Sequence, residues 1–390
     1  MNNFTREDIY YMKKAIKLAE KGRGETSPNP MVGAVIVKDG RIISSGYHHK
    51  AGLPHAEIEA IKNCKEELDG STMYITLEPC TFHGKTPPCT DEIIKHSFRE
   101  IIIGCIDPNP YVNGKGVMAL KEAGFLVKTG LLEDLIEIQN EVFFKYIRTG
   151  MPFVCCKIAS SIDGKVATKT QNSKWITSEK SRALVQKIRR EYDCILTGIN
   201  TVSKDNPYLL PRKNIDAPLK NIDIPRNRIF YRVILDSNLK IDLDSNVIKT
   251  SDLAKTIIFI NKKYSSSLKE KIKILRNNNI DVIAVNGDPV TGIGLDIYSI
   301  LHILCNKYQI TSVLLESGPT VAGSFLKRGL IDKFIFFIAP KIIGGDSSYD
   351  MFPGMGINNI KDCIDLRFDN IKRSGTDTVI TAYPLKNKNN

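Results

Sequence analysis

The chain has 390 residues, 42% of them hydrophobic and 25% charged, with a formal net charge of +12. That length predicts two domains of ordinary size, and the composition is that of a globular protein. No apolar run is long enough to cross a bilayer and the first residues lack an apolar signal core, so a cytoplasmic protein with no membrane partner is expected. The lysines are spread along the whole chain, as in residues 271–280. Such spreading predicts a solvated surface and a field that favours a small anionic substrate, not nucleic acid.

In chain order, residues 6–22 read as an amphipathic helix, with Ile9, Met12 and Ile16 at helical spacing and Gly22 closing it. The turn-rich segment 27–33 feeds a strand at 32–37, and Asp39-Gly40 turns it back through 42–44. His55 opens a helix over 56–64. A strand at 73–77 ends at Glu78-Pro79-Cys80, and Pro88-Cys89 starts a helix over 89–96. Strand 100–105, helix 116–122, strand 125–128 and helix 132–146 complete an alternating α/β unit.

One histidine and two cysteines, His55, Cys80 and Cys89, form a three-ligand set that leaves a tetrahedral zinc one open position. Glu57 stands two residues after the histidine, where a carboxylate can serve a water without ligating the metal. These are the parts of the zinc deaminases of bases. Here eight residues separate the cysteines instead of two, and they include His83 and Lys85, both able to reach a polar substrate. The competing reading is a closed structural zinc with His83 as fourth ligand, or a pair of buried thiols. Two helix N-termini converge on the set and favour thiolate over thiol.

Thr149-Gly150-Met151-Pro152 marks a boundary, dividing the chain into domains 1–150 and 151–390. Beyond it, residues 153–165 read as a strand and then a polar turn, and segments at 193–197, 232–236, 255–260, 281–285, 312–315 and 333–338 read as short strands alternating with helices. Residues 211–228 read as a long surface insertion and 386–390 as a polar tail. No GxGxxG fingerprint follows a strand. The small residues of Glu316-Ser317-Gly318-Pro319-Thr320-Val321-Ala322-Gly323 would let backbone amides approach a phosphate, or make an ordinary tight turn. Of the nine cysteines, an odd and scattered set, two go to the metal; the other seven are expected as small buried hydrophobes in a reducing compartment.

Several ordered motifs share one resemblance. They are Pro28-Asn29-Pro30-Met31-Val32-Gly33, the loop from Pro79 to Cys89, and Asp107-Pro108-Asn109-Pro110; then residues 157–165, 173–178, 196–202, 205–207 and 316–320. Together they resemble the bifunctional riboflavin-biosynthesis deaminase/reductase family over nearly the whole chain. The resemblance implies a cytidine-deaminase-like α/β/α domain followed by a dihydrofolate-reductase-like α/β domain, with one zinc and NADPH. It implies deamination of a diaminopyrimidine carrying a phosphoribosylamino group, then reduction of the ribosyl group to ribityl, by a homo-oligomer. Glu57 would be the acid–base group, and Asn29, His48, His83 and Lys85 would meet the deaminase substrate. The cofactor would meet Ala159, Trp175, Thr201, Asp205, Ser237 and the turn Gly318, Pro319, Thr320, Val321, Ala322, Gly323 and Ser324. The reductase substrate would meet Lys157, Ser173, Arg189, Leu209, Arg212 and Glu316. The insertion at 211–228 departs from the family in length. For His48 the bland reading is a surface histidine, and for Trp175, the only tryptophan, a core aromatic. Two rivals remain: a nucleoside or nucleic-acid deaminase with an unrelated second domain, and a zinc-stabilised binding protein in which Glu57 has no use.

Overall fold

The computed structural model describes residues 3–83, 87–213, 221–225, 228–290, 292, 294–345 and 349–385. The chain divides into two compact units, Met1–Met151 and Pro152–Asn390.

The first unit opens with α1 (Arg6–Ala19), which a capping box starts: Asp8 N donates to Thr5 Oγ1 (3.0 Å) and Thr5 N to Asp8 Oδ2 (2.8 Å). Its buried Ala15 and Ala19 lie directly on β1 (Gly33–Lys38), where a Cβ at Gly33 would fall 2.1 Å from the Ala15 carbonyl. Strands β2 (Arg41–Tyr47) and β3 (Thr72–Leu77) flank β1 antiparallel, and β4 (Glu100–Cys105) and β5 (Leu126–Thr129) follow parallel, in the order β2-β1-β3-β4-β5. Every residue of β3 is buried, as expected of a strand covered on both faces. The covering helices are α2 (Ala56–Lys62), α3 (Cys89–Ile93), α4 (Lys115–Glu122), α5 (Glu133–Gln139) and α6 (Glu141–Thr149).

Two expectations need correction here. The helix expected over 89–96 stops at Ile93. The single helix expected over 132–146 is two, broken at Asn140 (φ −107°, ψ 24°). The break has a cause in tertiary contact. Asn140 exchanges two hydrogen bonds with the Met31 backbone: Met31 N to Oδ1 at 2.7 Å and Nδ2 to Met31 O at 3.0 Å. Helical periodicity says nothing of such a long-range partner.

The second unit is one nine-stranded sheet. In chain order it contains β6 (Phe153–Ser161), α7 (Glu179–Glu191), β7 (Cys194–Gly198), α8 (Ile199–Asp205), β8 (Tyr231–Leu235), α9 (Asn246–Lys249), β9 (Lys255–Asn261) and α10 (Lys269–Asn277). It continues with β10 (Ile280–Val285), α11 (Ile297–Tyr308), β11 (Ser312–Leu315), α12 (Pro319–Lys327), β12 (Lys333–Ala339), β13 (Leu366–Ser374) and β14 (Asp377–Pro384). The order is β10-β9-β8-β7-β11-β6-β12-β14-β13, parallel from β10 to β12. The chain runs outward from β7 to β10, then returns to insert β11 between β7 and β6 before crossing to β12. In open α/β sheets, ligands bind beyond the carboxyl ends of the strands where the order reverses. That places the expected site at the ends of β6, β11 and β7.

The antiparallel hairpin β13–β14 was not anticipated. β13 is exposed along most of its length on both faces, and its register shifts between Phe368 and Asn370, so its sequence carries no clean alternation. The insertion is pinned at both ends, by a bridge of Arg212 with Ile222 and by Arg228; residues 214–220, 226–227 and the tail 386–390 lie outside the described residues. The nine cysteines are all free thiols. Five of the seven expected as buried hydrophobes are buried; Cys64 and Cys363 are only partly so.

At the opposite, amino-terminal end of the sheet, buried Asp193 holds three elements together. Its Oδ2 accepts from Thr311 N (2.9 Å), Thr311 Oγ1 (2.8 Å) and Ser312 N (3.1 Å), and its Oδ1 from Arg228 Nη1 (3.0 Å). Asp193→Ala removes a buried carboxylate that part-buried Arg228 bonds. The expected cost is about 3–5 kcal/mol of stability in the second unit, read as a lower urea midpoint. A midpoint within error of the parent would mean that this network contributes nothing.

Candidate active sites

In the first unit, local structure brings the ligand set together. His55 is the N-cap residue of α2, and Cys89 is the first residue of α3 behind Pro88. Cys80 follows the end of β3. His55 Nδ1 lies 3.2 Å from Cys89 Sγ and 3.6 Å from Cys80 Sγ, and the three ligand atoms are all within 4.8 Å of one another. Zinc bonds of about 2.0–2.3 Å in a tetrahedron place ligands roughly 3.5–3.8 Å apart, so the set fits that ion. Among the described residues no fourth ligand joins it: His83 is exposed and outside the cluster. Lys85 lies outside the described residues.

The two thiols share a proton. The hydrogen bond from Cys89, with help from His55 and the Cys89 amide, pulls the Cys80 thiol down to about 4, while the same bond and burial push Cys89 up. A divalent cation would displace the remaining proton, as structural chemistry of thiolate ligands requires.

Glu57 stands beside the set, 3% exposed. Its Oε2 has no hydrogen-bond partner among the described residues. Burial raises its pKa against the pull of His55, so this carboxyl can hold a proton. A buried carboxyl oxygen without a partner is costly, and such exceptions mark functional positions.

His48 is buried, not a surface histidine, and its ring meets the His55 ring edge-on at 5.1 Å. Burial pulls its pKa to about 4, so it is neutral at physiological pH. The Pro54 carbonyl, 3.2 Å from Nδ1, can only accept, so Nδ1 carries the proton and Nε2 accepts from Asn29 Nδ2 at 3.1 Å. That orients the Asn29 amide with its oxygen away from His48. The turn bearing Asn29 is in turn held by Asn140 through Met31.

Sequence reasoning missed Glu78. This buried carboxylate accepts from Asp107 N (3.2 Å), Gly114 N (2.9 Å) and Val117 N (3.1 Å), tying the 107–117 segment to the ligand-bearing Pro79-Cys80. The available signal was a glutamate at the carboxyl end of an otherwise apolar strand, directly before Pro-Cys.

In the second unit, several of the residues singled out from the sequence lie on the parallel strands or in the segments that follow their carboxyl ends. Lys157 and Ala159 are on β6, Thr201 is in the first turn of α8, Ser237 follows β8, and Glu316 follows β11. Gly318 is the N-cap of α12 with Pro319 next to it. The turns after β7 and β11 approach closely: a Cβ at Gly198 would lie 2.9 Å from Val321 Cγ2, and one at Gly318 would lie 3.7 Å from Thr201 Oγ1. Ser324 is half-buried and returns its hydroxyl to Thr320 O at 2.9 Å. Trp175 is no core aromatic. It is 61% exposed, with the Arg182 guanidinium 4.5 Å over its ring. Asp205 pairs with Lys174 at 3.8 Å.

The strongest cluster is charged. Arg189 grips Glu316 with both arms of its fork, Nε to Oε1 at 2.7 Å and Nη2 to Oε2 at 2.9 Å, and its Nη1 donates to Leu210 O at 3.3 Å. Lys157 Nζ lies 4.0 Å from Glu316 Oε2. Burial and the Arg189 charge pull Lys157 down, although Glu316 opposes the shift; burial alone would raise Glu316, but Arg189 holds it low. Arg212, whose amide donates to Gln186 Oε1 at 3.2 Å, adds a third cation that feels the Arg189 charge. Arg189 and Lys157 thus bring two cations to one carboxylate, a balance that suits an anionic substrate.

Comparison with known proteins agrees with both halves. Residues 5–105 match the cytidine and deoxycytidylate deaminase zinc-binding region, and residues 152–380 match the RibD C-terminal domain. The riboflavin biosynthesis protein RibD of Aquifex aeolicus is 40% identical over 96% of this chain and 97% of its own; that of Escherichia coli (strain K12) is 35% identical over 96% and 98%. Among solved structures, Acinetobacter baumannii RibD superposes with a TM-score of 0.83 at 34% identity, covering 98% of this chain and 99% of that one. A diaminohydroxyphosphoribosylaminopyrimidine deaminase/5-amino-6-(5-phosphoribosylamino)uracil reductase from Thermotoga maritima gives 0.81 at 35% identity, covering 97% and 99%.

Proposed function

The chain belongs to the RibD family of bifunctional deaminase/reductases of riboflavin biosynthesis, with a zinc-binding deaminase domain and an NADPH-dependent reductase domain, and from that premise we propose how its own residues divide the work. The first domain, 1–150, deaminates diaminohydroxyphosphoribosylaminopyrimidine. The second, 151–390, reduces 5-amino-6-(5-phosphoribosylamino)uracil to its ribitylamino counterpart. The single observation that carries the first assignment is the unpartnered, buried Oε2 of Glu57 beside His55, Cys80 and Cys89.

Zinc on His55, Cys80 and Cys89 supplies the Lewis acidity that makes a water acidic near neutral pH. Glu57 takes one proton from the attacking water as the oxygen adds to the ring carbon and gives it to the ring nitrogen; it then takes the proton of the new hydroxyl and gives it to the leaving amine, so that the carbonyl forms, the carbon–nitrogen bond breaks and ammonia departs. Asn29, held by His48, accepts a hydrogen bond from the pyrimidine, with His83 and Lys85 on its polar substituents.

NADPH supplies the hydride for the second reaction. Ala159, Trp175, Thr201, Asp205, Ser237 and the α12 turn Gly318–Ser324 hold the cofactor, the turn offering backbone amides to a phosphate. Lys157, Ser173, Leu209, Arg212 and Glu316 hold the phosphorylated sugar, and Arg189 serves this group mainly by fixing Glu316. The close approach of the β7 and β11 turns and the net positive cluster support these roles. The enzyme works in the cytoplasm as a homo-oligomer on a small molecule, without nucleic-acid or membrane partners. Among the described residues no helix is long and apolar enough to cross a membrane.

A nucleoside or nucleic-acid deaminase with an unrelated second domain is not favoured, because residues 152–380 match the RibD C-terminal domain. Full-length protein given the diaminopyrimidine substrate and NADPH is expected to release one ammonia and oxidise one NADPH per substrate consumed. Ammonia release without NADPH oxidation would sink the second assignment.

A further inference from the structure

One buried cation has no part in either reaction as described. Arg232, on β8, is 0% exposed. All five of its N–H groups go to neutral oxygens. Nε donates to Thr256 Oγ1 (3.1 Å), Nη1 to Tyr208 O (3.1 Å) and Thr250 Oγ1 (2.7 Å), and Nη2 to Thr250 O (2.9 Å) and Ala254 O (3.1 Å). Burying a guanidinium with no carboxylate bonded to it is expensive, and an apolar side chain of similar volume would avoid the cost. Burial pulls its pKa to about 10, which still leaves it charged at neutral pH.

The Tyr208 contact suggests what the charge is for. Leu209, the next residue, is 3% exposed and has a φ of +50°, a left-handed conformation that a leucine avoids. On its other side the Leu210 carbonyl accepts from Arg189 Nη1 at 3.3 Å. Buried Arg232 and part-buried Arg189 thus grip the carbonyls flanking one strained residue. Among the described residues the Leu209 amide donates to no protein group. Strain held in this way by surrounding structure is characteristic of ligand clamps.

We propose that Arg232 is a positioning residue of the reductase. Through the Tyr208 carbonyl, and with Arg189 acting at Leu210, it holds Leu209 left-handed so that the Leu209 amide is presented to the phosphate of the substrate. The inference rests on the reading of the second domain as a reductase with Leu209 at its substrate.

Full-length Arg232→Lys and Thr250→Val test it. The first keeps the charge but loses the fork; the second keeps the arginine but removes one acceptor of the same Nη1. KM and kcat for reduction are measured on the phosphorylated deaminated intermediate and on its dephosphorylated counterpart. Arg232→Lys is expected to raise KM for the phosphorylated substrate about tenfold, and Thr250→Val about threefold, with kcat within about twofold and little change for the dephosphorylated compound. Equal KM rises on both substrates, or no rise in either variant, would overturn the positioning role. Should Arg232→Lys fail to fold, Thr250→Val decides. If the parent enzyme oxidises no NADPH with either compound, the reductase reading itself fails and this inference with it.

Discussion

Glu57→Gln is expected to retain zinc and lose deamination. Glutamine keeps the size of the side chain and can still hydrogen-bond, but it cannot carry a proton between water, ring and leaving amine. Loss of a general acid–base group costs at least about a hundredfold in rate. The geometry makes the test clean, because Glu57 is not one of the three grouped ligand residues. The substitution should also be tolerated by the fold. It replaces a buried carboxyl, whose pKa burial already raises, with a neutral amide of the same shape. Zinc content by atomic absorption should stay at one per chain while ammonia release falls. Near-normal ammonia release with zinc retained would remove Glu57 from the mechanism.

Stripping the metal should separate the two activities. The His55, Cys80 and Cys89 ligand atoms all belong to the unit Met1–Met151, and every residue assigned to NADPH lies in Pro152–Asn390. Chelation of the full-length protein is therefore expected to abolish ammonia release and leave reduction of the deaminated intermediate largely intact. A second readout does not depend on activity. In the metal-free set the bond to Cys80 and burial raise Cys89, and the bond to Cys80 raises His55, so returning zinc should release protons, measurable with a pH indicator. Loss of both activities in protein that keeps its circular dichroism spectrum would contradict the division of labour.

Much of the site was legible because its chemistry depends on residue type and short spacing. His55, Glu57, Cys80 and Cys89 sit on helix starts and a strand end that local signals mark, with Pro88 before α3 and the apolar run of β3 before Cys80. Proline and glycine also act locally, which is why a boundary was expected at Gly150; the chain divides into units Met1–Met151 and Pro152–Asn390. The partners of Arg189 and His48 were not legible. From the sequence, Arg189 was expected to meet the reductase substrate; in the fold its fork of donors closes on Glu316, 127 residues away. The seam at Asn140, the Glu78 anchor and the hairpin β13–β14 were missed because each depends on partners far along the chain or lacks a periodic pattern.

The sequence by itself determined the ligand types, the alternation of strands and helices, and the order of the two chemistries. Only the tertiary structure decided which polar groups are buried, and with what partner. It left Glu57 Oε2 unpartnered, made His48 neutral and aimed it at Asn29, and enclosed Arg232 among neutral oxygens. The reason is physical. Propensity and periodicity act over a few residues, whereas desolvation and hydrogen-bond satisfaction depend on every atom that folding brings nearby.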